Sequence, residues 1–580
     1  RAGMDSVGIM GLGNIERVEI IHGPGSVQYG AAGMGGVVNI ISKRGKEIPE
    51  GRMELGIGSN ASHKASFYGG GASGRLDASA AASFYDSGDY RTGEGEVIPN
   101  SALGGRYNYY ANVGWNFDER RRIGLTFSGS RVTEAGDSSV SAIGSGSAVL
   151  LPYRGKPYEN RQSKEINTLD LTFEGATESR EAEWLLRYFV GKSSYWTTRH
   201  IMGVDPQYKS NHLYSQSASH FNGAQAQASY DFAETFKLTA GVDYYNLNMR
   251  QYQQNLLYSV ITSTTDRSSD AQSVYSNLAF FALARLSLLE KKNLVFSGGV
   301  RRDTVKIEID SVVASNPMPR DERRYSDTIP SFGVAYSPLN ELKLRANYGE
   351  AFKVATPREL IGNFYMATRL FIGNLSLKPE KSKTFDFGFD LDWRDLTASA
   401  TYFTTKFQNY IASEDQGTTP PSSKYINIPS SRITGMEASL RFDVGKRLGW
   451  DFDLSPYVFW THIFKYEDSD GNKIPSVSEN TLAAGVDFSH PGIGLLANIK
   501  ATWYDLPKVA SYSTQLSPNR IGSKFVWDIS VTKDLVEFSG NRDLKLKLSV
   551  DNVFDTAYKT DPGYFMDGRV LYVGLIASLN

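Results

Sequence analysis

The sequence predicts an all-β fold, a closed antiparallel transmembrane β-barrel of about 22 strands, an even number as in bacterial single-chain barrels. Three observations predict it. Apolar and polar residues alternate along many runs, such as RYNYYANVGWNF and IGLTFSGSR. The connections between these runs are alternately short and long. No run is long and apolar enough for a membrane-spanning helix.

The alternation gives each predicted strand an oily face and a polar face. In the run from 107 to 117, Val113 and Trp115 fall on one face, whereas Asn112 and Gly114 fall on the other. A soluble β-sandwich would show the same alternation, so this pattern alone does not separate a water-facing sheet from a lipid-facing sheet.

The lengths of the connections separate these alternatives. Short connections lie at 118–121, 289–293, 337–340, 445–449, 490–494 and 537–543. Long connections lie at 132–164, 193–221, 247–273, 305–328, 350–380 and 409–432. Long loops at one end and short turns at the other are typical of an outer-membrane barrel. The last run alternates up to Leu579, which suits a sheet that closes on itself and leaves no free edge.

Composition excludes several classes of function. Lys and Arg total 62 and Asp and Glu total 63, so the chain has no basic excess that would attract nucleic acid. Cysteine is absent, which excludes disulfide scaffolds, thiolate metal sites and cysteine nucleophiles. Neither Gly-x-Ser-x-Gly nor His-Glu-x-x-His occurs, and we therefore do not predict an enzyme.

The stretch from Ile15 to Lys43, IERVEIIHGPGSVQYGAAGMGGVVNIISK, is unusually rich in glycine between two Val/Ile runs. A nucleotide-binding loop is disfavoured because Pro24 interrupts the Gly-x-Gly pair and Ala31 stands where a P-loop requires lysine. The stretch resembles the end of the plug domain of TonB-dependent outer-membrane receptors. A plug is also expected on physical grounds, because the lumen of a barrel this wide would otherwise be an open pore.

Three further segments resemble the barrel of the same family. They are NYGEAFKVATPREL with GNLSLKPEKSKTFDFGFD (347–390), ITGMEASLRF (433–442) and the terminal DNVFDTAYKTDPGYFMDGRV (551–570). The resemblance divides the chain into the C-terminal part of a plug (1–48) and a barrel with long extracellular loops (49–580). Two departures are His22, where the family usually has arginine, and Leu579 followed by Asn580 in place of a terminal aromatic residue.

The resemblance implies active import of a scarce nutrient across the outer membrane of a Gram-negative bacterium, with a ferric siderophore as the expected ligand. The ligand would bind the extracellular loops and the plug, and TonB would then drive remodelling of the plug. We expect a monomer embedded in outer-membrane lipid, without a cofactor or a nucleic-acid partner. TonB would contact a segment absent from this chain, because residues 1–48 correspond to only part of a family plug.

Other ligands and other classes stay open. Cobalamin, haem or a metal would suit a receptor of the same family, although haem is disfavoured because IGNFYMATRLFIG (361–373) contains no histidine. A passive porin-like barrel needs no plug signature and is disfavoured by residues 15–43. A soluble carbohydrate-binding β protein is the third alternative.

The resemblance also implies where plug and barrel meet. Glu380 and Glu437 match barrel carboxylates that face the lumen and pair with plug arginines, and Arg17 and His22 are the candidate partners in this plug. A buried charge pair is costly to break from one side, which suits an interface that is later released. The alternative is that both carboxylates are ordinary lumen charges in contact with water.

Candidate ligand-binding residues fall in the long loops. One group is Tyr195, Trp196, Arg199, His200 and His212. Another group is Arg320, Arg323, Arg324, Tyr325, Tyr365 and Arg369. Arginines could attract an anionic chelate, but Asp321 and Glu322 offset part of the charge. The histidine spacing matches no established ligand pattern, so we predict no metal site.

Overall fold

The computed structural model describes residues 14–22, 26–30, 33–98, 101–136, 158–201, 212–258, 264–266, 269–289, 293–314, 320–366, 369–418, 422–474, 477–505, 509–511, 514–515, 523–538, 542–561 and 564–579. The strands are β1 Ile15–His22, β2 Gly36–Ser42, β3 Glu50–Gly58, β4 Ser62–Ser73, β5 Leu76–Ser87, β6 Leu103–Asn116, β7 Arg122–Gly136, β8 Tyr158–Ala176, β9 Ala182–Ile201, β10 His212–Ala233, β11 Phe236–Tyr258, β12 Thr264–Asp266, β13 Ser269–Leu288, β14 Leu294–Ala314, β15 Asp321–Leu339, β16 Leu342–Lys353, β17 Asn363–Met366, β18 Arg369–Ile372, β19 Glu380–Trp393, β20 Leu396–Asp415, β21 Ser422–Phe442, β22 Asp453–Asp468, β23 Asn480–His490, β24 Leu495–Tyr504, β25 Val509–Ser511, β26 Thr514–Gln515, β27 Lys524–Phe538, β28 Arg542–Asp551, β29 Lys559–Asp561, β30 Tyr564–Phe565 and β31 Val570–Leu579. The short helices are α1 Ser26–Tyr29, α2 Pro357–Ile361 and α3 Val444–Leu448, and a 3-10 turn covers Pro491–Ile493.

The predicted closed barrel of 22 antiparallel strands is confirmed. The wall consists of β3 to β11, β13 to β16, β19 to β24, β27, β28 and β31. The first wall strand pairs with the last, Gly51 opposite Leu579 and Leu55 opposite Leu575, so the sheet has no free edge. The two strands β1 and β2 form a separate antiparallel sheet.

The wall has an apolar outer face and a polar inner face. Val113 and Trp115 are 50% and 45% exposed, whereas Asn112 between them is only 4% exposed. The last strand repeats this pattern, with Leu571 and Val573 exposed while Tyr572 donates a hydrogen bond to Glu54 of β3. The exposed apolar residues face lipid, and the buried polar residues face the lumen.

The short connections lie where the sequence predicts them. In the turn at 118–121, Asp118 accepts hydrogen bonds from the backbone N–H of Arg120 and Arg121 and from the Arg121 guanidinium. These donors, Arg121 foremost, lower the pKa of Asp118 to about 2. The connection at 443–449 is a helical turn instead of a simple loop. Asp443 caps α3, and Gly449 ends it at φ +68°, a conformation that glycine adopts without strain.

The long connections are shorter than predicted, because most of the residues assigned to them are strand. The predicted loop at 193–221 is largely occupied by the ends of β9 and β10, which have 20 and 22 residues. A bilayer requires only ~9–11 residues per tilted strand. Above the lipid both faces of a hairpin meet water, so the apolar alternation ends although the backbone pairing continues. None of the described helices is long and apolar enough to cross a membrane.

One loop-end segment, residues 354–379 apart from 367 and 368, packs against the inside of the wall. Pairing between β15 and β16 stops at Ser331 opposite Gly349, so the upper part of β15 pairs only with β14. A buried apolar cluster fills the space behind it. Its members include Ile307 and Ile329 from the wall, Phe352 from β16, and Leu360 and Leu377 from residues 354–379. We call residues 354–379 the inner segment.

Candidate functional site in the barrel lumen

We define residues 14–49 as the N-terminal segment; its described residues contact the inner wall at two places. The first is next to its covalent link to β3 and we call it the anchor. The Lys43 carbonyl accepts hydrogen bonds from Ser79 at 3.0 Å and from Tyr110 at 3.2 Å, and the Lys46 carbonyl accepts one from the Ala72 N–H at 2.7 Å. The anchor therefore joins the segment to β4, β5 and β6.

Charged side chains add to the anchor. The Arg44 guanidinium binds both carboxylate oxygens of Glu174 on β8, and this hydrogen-bonded pair raises the pKa of Arg44. The Lys43 ammonium lies 3.4 Å from a Glu50 carboxylate oxygen and 4.5 Å from the centre of the Tyr68 ring. Arg44 and Glu174 are 47% and 31% exposed, so solvent weakens this pair.

The second contact, which we call the latch, holds helix α1. Val27 is 2% exposed, and its carbonyl accepts a hydrogen bond of 3.4 Å from the Arg301 guanidinium of β14. The same guanidinium donates to Asp303 at 2.9 Å and to Asp243 of β11. Gly299 permits the close approach, because a Cβ there would lie 3.1 Å from Val27 Cγ1. The latch thus combines one apolar side chain with one long hydrogen bond.

The sequence interpretation missed the latch. Arg301 and Asp303 are two residues apart, so strand periodicity places both on one face of β14. That spacing within VRRDTV was a usable signal for a charge pair on the inner wall. Its contact with Val27 joins residues 274 positions apart, and no local pattern reports such a distance.

The predicted plug and barrel contact residues lie in three different surroundings. Glu380 faces the lumen at the foot of the inner segment, where it accepts hydrogen bonds from Lys353 and from the Ile411 N–H. Glu437 lies opposite Thr401 of the neighbouring strand and is half-buried. Arg17 binds Glu19 of its own strand, and this bond lowers the pKa of Glu19. Among the described contacts Arg17 and Glu380 do not meet, and the role of all these residues in plug contact stays a prediction.

His22 ends β1, and its side chain lies outside the described residues. The same holds for the side chains of five predicted ligand-binding residues, Arg199, His200, His212, Tyr365 and Arg369, whose backbones belong to described strands. Among the residues that the structure does describe, no group of three or more histidine or acidic side chains could hold a metal ion.

The other predicted ligand-binding residues divide between the two faces of the wall. Tyr195 lies on the lumen face of β9 and accepts a hydrogen bond of 2.7 Å from Thr197, whereas its neighbour Trp196 alternates to the outer face. Arg323 binds Asp321, and Tyr325 packs against the apolar cluster of the inner segment. Arg324 alternates to the outer face. The six candidates therefore do not form one site.

Each of the three loop arginines already has a local acceptor. Arg320 donates to the Asp310 carbonyl at 2.9 Å, Arg323 to Asp321 at 2.8 Å and Arg324 to Glu322 at 2.8 Å. Glu322 also pairs with Lys306 at 3.2 Å. Asp321 and Glu322 thus offset part of this charge, in agreement with the sequence analysis, whereas Arg320 binds a neutral carbonyl.

An aromatic group on the inner wall was not predicted. The ring centres of Phe189 and Phe221 lie 6.3 and 6.5 Å from Tyr245, and Tyr275 lies 6.3 Å from Tyr245. Tyr275 also contacts the apolar cluster of the inner segment, so this group, which is carried by β9, β10, β11 and β13, reaches that cluster. Strand periodicity places Phe189 and Tyr245 on the same face as Arg187 and Asp243, which was the available signal.

A cavity of about 610 Å³ separates the β1–β2 sheet from the wall formed by β5 to β10. Charged residues of both signs line it, including Arg44, Arg122, Arg187, Asp170 and Glu174. Because these charges offset one another, the cavity does not favour ligands of one sign.

Comparison with known proteins gives consistent results. A family model described as TonB dependent receptor-like, beta-barrel, matches residues 60–553. The rhizobactin receptor of Rhizobium meliloti is 22% identical over 631 residues, which cover 97% of this chain and 79% of that protein. The probable TonB-dependent siderophore receptor PirA of Acinetobacter baumannii is 21% identical over 637 residues, with the same 97% and 79% coverage. The solved structure of the copper transporter OprC aligns with a TM-score of 0.80 at 17% identity, over 98% of this chain and 86% of that chain.

Proposed function

This chain belongs to the TonB-dependent receptor family, and on that premise we propose that it imports a ferric siderophore across the outer membrane by TonB-driven movement of the N-terminal segment. The family is one of receptors and transporters, and the protein lies in the outer membrane of a Gram-negative bacterium. The choice of ligand is supported by the similarity, over 97% of this chain and 79% of that protein, to the probable TonB-dependent siderophore receptor PirA of Acinetobacter baumannii.

The observation that carries the transport proposal is the position of the N-terminal segment inside the lumen. The anchor attaches it to β4–β8 and the latch attaches it to β14, so it crosses the inner space between two parts of the wall. A passive porin-like barrel has no need for such an obstruction. In the proposed mechanism the segment moves before a ferric siderophore passes.

The upper lumen offers a surface that suits an aromatic or uncharged chelate. The group of Phe189, Phe221, Tyr245 and Tyr275 provides ring faces, and Tyr195 adds a hydroxyl above it. Aromatic side chains supply large apolar area with polar tips, which fits ligands that combine rings with oxygen donors. The inner segment narrows the lumen on the β14–β20 side, so a ligand descends along the aromatic group.

Uptake of radioactive iron by cells that express the protein tests the proposal. The host should lack its own siderophore receptors, and a panel of ferric catecholate, ferric hydroxamate and ferric carboxylate siderophores should be compared with haem, cobalamin and copper. We expect uptake of one ferric siderophore that disappears in an otherwise identical strain without TonB. Uptake of only cobalamin, haem or copper would refute the ligand, and TonB-independent uptake of many solutes would refute the receptor mechanism.

A further inference from the structure

The two contacts of the N-terminal segment differ in how they respond to a pulling force. The anchor distributes polar contacts over β4, β5, β6 and β8, and the chain continues from it directly into β3. Among the described residues, helix α1 is held by the buried side chain of Val27 and by the 3.4 Å hydrogen bond from Arg301. That distance is at the long end of the range for an N–H···O bond. The latch is therefore the easier contact to open.

The charge balance around Arg301 points in the same direction. Its guanidinium is 3% exposed, and it is bound by two carboxylates, those of Asp303 and Asp243. When the Val27 carbonyl leaves, the buried cation stays paired with both. Breaking a buried ion pair from one side is strongly unfavourable because it leaves a buried charge without a partner. Opening the latch leaves no buried charge unpaired in this way. Separation of Arg44 from Glu174 would divide an ion pair, but a partly exposed one that solvent weakens, so the strength of the anchor lies in its distributed hydrogen bonds.

We propose that the latch is the release point of the N-terminal segment and that the anchor is a hinge that stays bound during transport. The passage then opens between the segment and the wall strands β13 to β16, which helix α1 contacts in the closed state. Arg301 acts as a positioning residue: it holds the segment through a neutral carbonyl and stays neutralised itself. This inference rests on the proposed function.

Reversible cross-links test the two roles separately, and the chain is suited to them because it contains no cysteine. The variant V27C/G299C locks the latch, since Val27 Cγ1 lies 3.1 Å from the position of a Cβ on Gly299. The variant S42C/S79C locks the anchor, where both serine hydroxyls adjoin the Tyr110 hydroxyl. Each pair is oxidised directly or bridged by a short methanethiosulfonate linker, and both are reversed by reductant.

We expect the locked latch to abolish TonB-dependent uptake of the ferric siderophore and reductant to restore it, whereas the locked anchor leaves uptake unchanged. If uptake continued while the latch was cross-linked, the latch could not be the release point. If cross-linking the anchor abolished uptake and reductant restored it, the anchor could not be a hinge that stays bound during transport. The single variant G299C serves as a control for crowding of Leu283, whose Cδ2 would lie 2.5 Å from the new Cβ.

A readout without ligand separates this inference from the proposed function. In the single variant V27C the side chain is buried, so a membrane-impermeant maleimide should label it only in cells with energised TonB. Ser42 is half-buried and lines the cavity beside the β1–β2 sheet, so labelling of the variant S42C should be the same with and without energised TonB. If the unmodified protein imports no ferric siderophore, the proposed function fails. Labelling of V27C then still decides the latch: TonB-independent labelling of V27C, or a TonB-dependent rise in the labelling of S42C as large as that of V27C, would overturn it.

Discussion

Two buried arginines of the inner wall, Arg301 on β14 and Arg122 on β7, illustrate how similar chemistry serves different purposes. Their side chains are 3% and 8% exposed, and each binds a carboxylate that is itself buried. Arg122 donates to Asp77 and to the Asn112 side-chain carbonyl. Arg301 binds two carboxylates and also reaches a carbonyl of the N-terminal segment.

The difference between them lies in the second carboxylate. Arg122 and Asp77 neutralise each other within the wall, and the remaining acceptor, Asn112, also belongs to the wall. At Arg301 the charge is balanced without the segment, so the bond to Val27 is an addition that can be made and lost. Arg301 can therefore hold the segment and release it with its charge still balanced, whereas the described contacts of Arg122 all lie within the wall.

The largest expected effect comes from removal of the arginine itself. In R301M two carboxylates lose their partner, and we expect the free energy of unfolding to fall by roughly 3–5 kcal/mol, the cost of an uncompensated buried charge. Denaturant unfolding of the refolded barrel measures it. R122M is the matched control: it should lose a similar amount or less, but hydrogen exchange of residues 26–30 should rise only in R301M. If hydrogen exchange of residues 26–30 rose equally in both variants, Arg301 would have no special role in holding helix α1.

When one carboxylate is removed instead of the arginine, the loss in the free energy of unfolding should be larger at the Arg122 site than at the Arg301 site. In D77N, Arg122 is left buried without a carboxylate among its described contacts, and we expect a loss of about 3–5 kcal/mol. In D303N, Asp243 still neutralises Arg301, so the loss should be only about 1–3 kcal/mol, the cost of a weakened buried hydrogen bond. The same unfolding measurement compares them. A greater loss in D303N would show that the two carboxylates are not redundant.

A smaller effect is expected from the apolar half of the latch. V27A removes two buried methyl groups from a side chain that is 2% exposed, and we expect helix α1 to open more readily by roughly 1–3 kcal/mol. Hydrogen exchange of residues 26–30 measures this opening. V18A is the control on the same segment, because Val18 is 49% exposed and its truncation should change exchange by no more than about 0.5 kcal/mol. Similar changes in both would mean that Val27 does not secure the latch.

The smallest effect is expected at the anchor. R44Q removes a solvent-exposed partner of Glu174, and exposed pairs contribute only about 0–1 kcal/mol. The backbone hydrogen bonds of Lys43 and Lys46 remain, so exchange near residues 42–46 should hardly change, and less still at high salt. R17Q offers a comparable exposed pair away from the wall. Release of residues 42–46 in R44Q would show that a single ion pair, not the distributed contacts, fixes the anchor.

Much of the barrel could be predicted because its pattern is local. Val113 and Trp115 meet lipid and Asn112 meets the lumen because strand periodicity alternates them, and the short turns at 118–121 and 490–494 follow from their composition. The loop lengths were overestimated for a physical reason. Above the membrane β9 and β10 continue as paired strands, and a hairpin in water no longer needs one apolar face.

The candidate site was less predictable, since it depends on contacts between distant strands. The family resemblance indicates Glu380 as a partner of the plug, which stays a prediction; its bonds to Lys353 and to the Ile411 N–H at the foot of the inner segment were visible only in the structure. Arg324 was grouped with Arg323, although adjacent strand residues point to opposite faces. The aromatic group around Tyr245 joins four strands, β9, β10, β11 and β13, that no sequence window contains together.

By itself the sequence determined the class of the protein: an even-stranded outer-membrane barrel with a glycine-rich segment before it. These properties depend on periodicity, turn composition and loop length, and each of these can be recognised in a short stretch of sequence. Only the tertiary structure decided that Val27 meets Arg301, that Lys43 meets Ser79 and Tyr110, and that residues 354–379 fold inward. The physical reason is that the sheet closes into a barrel, which brings residues that are distant in the sequence to opposite sides of one lumen. The register of 22 strands around the barrel fixes which lumen-facing side chains lie opposite one another, and that register is a property of the whole sheet.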